Sequence, residues 1–210
     1  SPGIIAFIND WADNTFKHVQ KLIIRHGLDP VELPDETLKL FPTGTISLST
    51  GWLEDTSTVK RYKDVWLDYR SATKKLTLTI PIQFEALMFI YKYHTKVTLL
   101  DISGDTQGKI SDLRANVELT FDFTNYEASL TEFDIKDSGS ISLTFSGNGL
   151  VDWLTSNMTT VITYFLHPVI LRIIEFIVKG GMEAGVKVVN EHISSILRNE
   201  TVATENYLYV

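Results

Sequence analysis

The chain has 210 residues, 44% of them hydrophobic, a formal net charge of -7 and no cysteine. That apolar content is too high for a disordered protein, and acidity without a basic stripe argues against nucleic acid as a partner. The absence of Cys removes disulfides, thiolate metal sites and Cys nucleophiles together.

Residues 4 to 28 read as an amphipathic helix. Ile4, Ile5, Ile8, Trp11, Ala12, Val19, Leu22 and Ile23 recur at three- and four-residue steps, with Asp10, Asp13, Lys17 and Lys21 between them. Gly27 is a stop signal, and Asp29-Pro30 and Leu33-Pro34-Asp35 then forbid helix, giving a stiff, extended connector.

From about Gly44 the period changes to two. Ile46 and Leu48 alternate with polar residues, as do Leu76, Leu78, Ile80 and Ile82, then Val117, Leu119, Phe121 and Phe123, then Ile141, Leu143 and Phe145. Each run predicts an antiparallel strand with one wet face. Ser103 to Gly108 and Lys136 to Gly139 carry turn chemistry and predict hairpin connections. Glu85 to Tyr91 breaks the alternation; it is either a strand buried on both faces or one whose outer face carries an apolar patch.

Residues 149 to 199 read as one long helix, apolar on all sides around Val161 to Val178. Val161, Phe165, Val169, Ile173 and Ile177 form one stripe, and Tyr164, Leu171, Ile174 and Val178 lie off it. A bilayer or the protein itself must cover such a helix. His167, Arg172 and Glu175 interrupt the apolar centre and threonines precede it, which favours a soluble protein wrapped around its own helix over a membrane span. Pro168 is the natural place for a kink, and Arg172 and Glu175, three residues apart, are placed to pair. The order helix, strands, helix, without repeats or linkers, gives an α+β fold in a single domain, 1–210: a curved antiparallel sheet around the C-terminal helix.

Candidate chemistry reduces to local structure. Gly104-Asp105-Thr106-Gln107-Gly108-Lys109-Ile110 is one residue short of a phosphate loop and has Ile110 where a magnesium ligand belongs. Asp134 to Gly139 lacks the ligands of a calcium loop, and the five histidines show no metal-ligand spacing. Ser146 lacks the preceding Gly of a nucleophile elbow, and Ser146 or Asn148 is better read as a helix cap. No cofactor, metal or catalytic residue is expected. The start at Ser1 without a signal-type segment fits a processed chain, and the sequons at Asn157 and Asn199 permit glycosylation.

The whole element order resembles the tubular lipid-binding superfamily. Leu28-Asp29-Pro30-Val31-Glu32-Leu33-Pro34-Asp35 is similar to the segment leaving the first helix of the mite group 7 allergens, and Gly44-Thr45-Ile46-Ser47-Leu48-Ser49-Thr50-Gly51-Trp52 to the strand that follows. Insect takeout and juvenile-hormone-binding proteins are also similar but usually carry an N-terminal cysteine pair, so the missing Cys moves the resemblance toward the mite allergens. It implies a super-roll or half-barrel that buries apolar molecules between sheet and helix, generally in secreted proteins of arthropods.

The expected function is therefore that of a secreted, extracellular, non-enzymatic carrier. Its seam is expected to be lined by Met88, Ile90, Leu119, Phe121, Trp153, Val161, Phe165, Ile173 and Ile177. Its partner is a hydrophobic small molecule: a fatty acid, isoprenoid, carotenoid or bacterial lipid. Two other classes stay open. One is an interfacial or partner-binding protein, oligomeric or surface-associated through strand 85 to 91; the other is an esterase-like enzyme.

Overall fold

The computed structural model describes residues 3–207, with side chains as far as Ile196. In chain order it contains β1 (Ile4–Phe7), α1 (Asn9–Arg25), β2 (Val31–Leu33), β3 (Glu36–Leu40), β4 (Gly44–Glu54), a 3-10 turn at Thr56–Thr58, β5 (Lys60–Arg61), β6 (Trp66–Arg70), β7 (Lys75–Val97), β8 (Leu100–Asp122), β9 (Glu127–Asp137), β10 (Ser140–Phe145) and α2 (Asp152–Tyr207). All ten strands join one antiparallel sheet, which stays open, and α2 lies along it.

The centre of the sheet is the hairpin of β7 and β8, in unbroken register from Lys75 opposite Asp122 to Val97 opposite Leu100. Strands β6, β5 and β4 follow one another along the free edge of β7, at residues 75–79, 82–83 and 88–96. Strands β9 and β10 do the same along the other edge, on β8. Lys136 to Gly139 is therefore not a hairpin. Ser138 and Gly139, the latter at φ 74, interrupt what is otherwise one long edge strand.

Nor is Ser103 to Gly108 a turn, because it lies inside β8. The glycines there answer to crowding: a Cβ on Gly104 would stand 1.9 Å from the Ser146 carbonyl oxygen, and one on Gly108 2.6 Å from that of Ser142. The true turn is Thr98-Leu99, with Thr98 at φ 51 and neither Gly nor Pro to announce it.

The broken alternation at Glu85 also has a local cause. Buried residues on β7 are Ile80, Ile82 and Phe84, then Leu87, Phe89, Tyr91 and Tyr93. On β8 they are Ile102 and Ile110, then Leu113, Ala115 and Val117. Both strands change buried parity at one level, where Glu85 and Asp112 drop out of the ladder and Asp112 adopts φ 60. One unpaired residue in each strand, at the same level, reverses which side of the pleat faces the core without shifting the register. The stretch is neither two-face buried nor an exposed apolar strand: Leu87, Phe89 and Tyr91 are buried, while Ile90 is 40% exposed on the other face.

Ile4 to Phe7 pairs with β6 instead of opening the helix, since the β-prone Ile4, Ile5 and Phe7 find the unpaired edge at Trp66–Tyr69. Helix α1 then starts at Asn9, whose amide donates to Asp64 and whose carbonyl accepts from the Val65 amide. Its buried residues are Ala12, Phe16 and Ile23, while Trp11 and Leu22 are about half exposed. The guanidinium of Arg61 binds both carboxylate oxygens of Asp13 and holds that acid below the usual carboxylate range. Within the Pro-stiffened connector, β2 and β3 both pair with β4.

Helix α2 is covered on one side only. Leu154, Met158, Ile162, Leu166, Ile170, Ile174 and Val178 are buried, whereas Tyr164 is 86% and Phe176 71% exposed. The buried stripe thus runs beside the expected one: Val169 and Ile177 are buried, but Val161, Phe165 and Ile173 sit half-buried at its flanks. By length and apolarity α2 could cross a membrane, with a mean hydropathy of 1.9 and 39% burial in its most apolar window; the sheet covers that share. Helix and hairpin match in length, at roughly 84 Å for 56 residues and roughly 76 Å for 23.

Side chains of α2 tie it to both sheet edges. Asn157 donates to the Phe41 carbonyl after β3 at 2.6 Å, His167 contacts the Ser138 carbonyl at 2.8 Å, and Asn190 brackets Ala128 of β9. Glu175 pairs with Lys179, four residues on, at 2.6 Å rather than with Arg172, which is exposed. Ser146 caps no helix: its hydroxyl bonds the backbone of Asp105, and α2 begins later, at Asp152.

One-sided cover predicts that Leu166→Ala costs about 2–5 kcal/mol in urea unfolding, while Tyr164→Ser stays within about 0.5 kcal/mol. Equal losses at the two positions would mean that the helix is wrapped on both sides.

Candidate functional site

The face of the sheet turned toward α2 changes character along its length. Near the Thr98 turn it is sealed: Leu53, Leu87, Phe89 and Ile110 have no exposed surface, and Tyr91 and Tyr93 only 2%. At the other end two apolar rows run across four strands, Leu67-Leu78-Leu119-Leu130 and Tyr69-Leu76-Phe121-Ala128. All eight side chains are half-buried, and Phe123 beyond them is 40% exposed. Phe121 and Phe123 pack edge to face at 4.8 Å, as do Tyr69 and Phe123 at 5.7 Å. The result is an open apolar trough at one end of an otherwise closed core.

The anchors of α2 show which part of the helix is level with this trough. Asn157 marks the turn end and His167 the β9–β10 junction. Lys179 lies 5.8 Å over the ring of Phe133, and Asn190 meets Ala128, in the same row as Phe121. Helical residues around 182–190 are therefore level with Leu119 and Phe121. Met182 and Val186 are half-buried there, and no residue of α2 from Lys179 to Ile196 is fully buried.

Of the residues expected to line a seam, Leu119 and Phe121 belong to the trough, and Ile177 lies buried in the helix stripe leading toward it. Val161, Phe165 and Ile173 flank that stripe farther toward the sealed end, and Trp153 is 51% exposed in the first turn of α2. Met88 and Ile90 lie on the opposite face of the sheet, because the parity change at Glu85 turns them outward. Leu76 and Leu78 were missed as site residues although the alternation from Lys75 to Ile82 marked their face. Leu67, Tyr69 and Met182 carried no such signal.

The surface carries two concavities. One, of about 920 Å³, opens between the start of β9 and α2 at the rim of the trough, with which it shares Ala128 and Val186, and is otherwise bordered by polar residues such as Glu127, Glu183, Lys187 and Asn190. The other, of about 830 Å³, is on the outer face around Trp52 and Ile90.

Burial pushes the hydroxyls of Tyr91 and Tyr93 up, with Asp35 and Asp105 adding to the effect. Both stay neutral donors, Tyr91 to the Pro34 carbonyl at 2.8 Å and Tyr93 to that of Ser146 at 2.6 Å. They fasten the sealed end and offer no proton-transfer chemistry. Among the described residues no cluster of His, Asp and Glu is arranged to hold a metal ion.

A family model described as Group 7 allergen matches residues 7–184. Among solved structures, lipopolysaccharide binding protein is similar at a TM-score of 0.54 and 16% identity, over 86% of this chain and 40% of that one. This chain thus spans less than half of that protein, and the likeness concerns the fold. Takeout 1 of Epiphyas postvittana aligns over 84% of this chain and 90% of its own at 11% identity, with a TM-score of 0.43. No curated protein matches the chain in sequence.

Asn190 donates to the Ala128 carbonyl at 2.8 Å and accepts from the Ala128 amide at 2.7 Å, standing in for a neighbouring strand at a free edge. Removing both bonds in Asn190→Ala should speed hydrogen exchange at Ala128 at least about tenfold, as two lost bonds of about 1 kcal/mol each imply. Unchanged exchange would mean that other contacts hold the distal helix.

Proposed function

The chain belongs to the group 7 allergen family, and from that membership and the shape of the trough we propose that it is a non-enzymatic carrier of a lipid-like molecule. The observation that carries this reading is the pair of half-exposed apolar rows, Leu67-Leu78-Leu119-Leu130 and Tyr69-Leu76-Phe121-Ala128, at one end of a core that is sealed at the other. Apolar side chains left in water beneath a helix gain by meeting an apolar guest. An acyl or isoprenoid chain laid along the rows would meet Leu78, Leu119 and Phe121 from the sheet and Met182 from α2. Its far end would point toward Ile177.

Such a site works by dispersion and by removing apolar surface from water, at about 0.8 kcal/mol per methylene buried. Ordering and immobilising the guest offsets part of that gain, and a net of about 8 kcal/mol corresponds to micromolar affinity. Three polar side chains of α2 on this face are already engaged: Lys179 with Glu175, Asn190 with Ala128 and His167 with Ser138. A guest would accordingly be selected by length and shape more than by headgroup. The proposal extends to secretion, as the family resemblance implies. A glycan on Asn157 would have to break the bond from its amide to the Phe41 carbonyl.

The test is a calorimetric titration with saturated fatty acids of increasing length. Affinity is expected to rise with chain length to an optimum and then fall, and Phe121→Ser should weaken the best binder about tenfold, which is 1.4 kcal/mol. Absence of binding at every length, or affinity set by the headgroup alone, would contradict the carrier reading.

A further inference from the structure

We propose that the concavity on the outer face of the sheet is a second binding site, and that it takes the ring of a pyranose sugar. It lies on the side of the sheet away from α2. Trp52, Ile90, Gln107 and Thr144 form one row across β4, β7, β8 and β10. The adjacent row, Leu53-Phe89-Gly108-Leu143, faces the core, so the two ligand surfaces are separated by the thickness of the sheet.

Backbone features shape the hollow. A bulge between Ser49 and Trp52, with Thr50 at φ 55, displaces the ladder of β4. Gly104 and Gly108 admit the close crossing of β10 and Ser146 from the other side. Between those glycines, Asp105 and Gln107 point outward from β8 and are exposed. The glycine-flanked motif that fails as a phosphate loop thus presents a carboxylate and an amide beside an indole.

Toward the other end of the outer face several polar side chains are mated: Thr77 with Thr120, Thr120 with Thr131, Thr79 with Glu118, and Tyr62 with Asn116. Among the described residues, the side chains of Lys92, Asp105 and Gln107 form no hydrogen bond or ion pair with one another or with neighbours, although Lys92 and Asp105 stand directly opposite in register. An apolar floor of Trp52 and Ile90 is therefore rimmed by an ammonium, a carboxylate and an amide. A pyranose matches this arrangement, with a flat C–H face to lay on the indole and equatorial hydroxyls to donate to Asp105 and accept from Gln107 and Lys92. A bare acyl chain would leave all three polar groups facing apolar surface.

The experiment follows the indole N–H resonance of Trp52, assigned with Trp52→Phe, by 15N NMR. The probes are maltotriose, triacetylchitotriose and mannotriose, and an alkyl glycoside of each, below its micelle concentration. At least one sugar is expected to give a saturable shift that Asp105→Asn weakens about tenfold, the size of one charge-assisted hydrogen bond, and Trp52→Ala, read instead at the backbone amide of Gln107, is expected to abolish binding. Equal affinity for free sugar and glycoside would identify a soluble glycan as the source. Tighter binding of the glycoside, still weakened by Asp105→Asn, would identify a glycolipid headgroup. The proposal is overturned if no sugar shifts the resonance, or if the glycoside alone binds and is indifferent to Asp105→Asn. Phe121→Ser, on the other face, should leave the sugar shifts unchanged, so failure here is distinguishable from failure of the trough to bind lipid.

Discussion

The architecture depends on the ladder between β7 and β8, two strands of 23 residues held in one register from end to end. Every other strand but β1, β2 and β3 pairs directly with this hairpin. A ladder that long cannot remain flat, because each strand pair twists, and its curvature carries the outer strands toward a common axis. Helix α2 lies on that axis and has the length to follow it. The paired irregularity at Glu85 and Asp112 is the one place where the ladder yields. It lets both strands exchange core and solvent faces without losing register.

Helix and sheet are joined by the buried apolar stripe from Leu154 to Val178 and also by side chains that satisfy backbone at the sheet edges. Asn157, His167 and Asn190, spaced along α2, bond the carbonyls of Phe41, Ser138 and Ala128. Each covers a backbone group that an open sheet would leave unpaired. Between the anchors at Phe41 and Ser138 the core is filled. Beyond Lys179 the helix presents half-buried Met182 and Val186 to the sheet, and the apolar rows of β6 to β9 are left half in water. The same geometry therefore makes the closed core and the open trough. Where cover stops, a guest can begin.

Much of the fold was legible in the sequence because periodicity reports which faces meet water. The alternation around Leu76, Leu119 and Ile141 marked β7, β8 and β10, and the three- and four-residue repeats marked both helices. What was not legible depended on contacts distant in the chain. Ile4 to Phe7 is a strand because an edge of β6 is available, and Gly104 and Gly108 sit in a strand because Ser146 and Ser142 pass close by. The site suffered most at the parity change. Met88 and Ile90 share the spacing of their apolar neighbours, and the broken alternation at Glu85 does not say which set the reversed pleat buries. On α2, an all-round apolar surface concealed which stripe was buried. Level with the trough, the relevant residues are Met182 and Val186 rather than Val161 and Phe165, and that follows only from where Asn190 meets Ala128.

Under the proposed function, the guest of a lipid carrier would lie between the distal half of α2 and the open rows of the sheet. The most direct measurement places a fatty acid carrying a nitroxide at the end of its chain in the protein and reads paramagnetic broadening of the backbone amides. Leu78, Leu119, Phe121 and Met182 are expected to lose intensity first, while Trp52, Ile90 and Tyr164 keep theirs. Broadening centred on the outer face or on the exposed side of α2, with the trough unaffected, would contradict this placement.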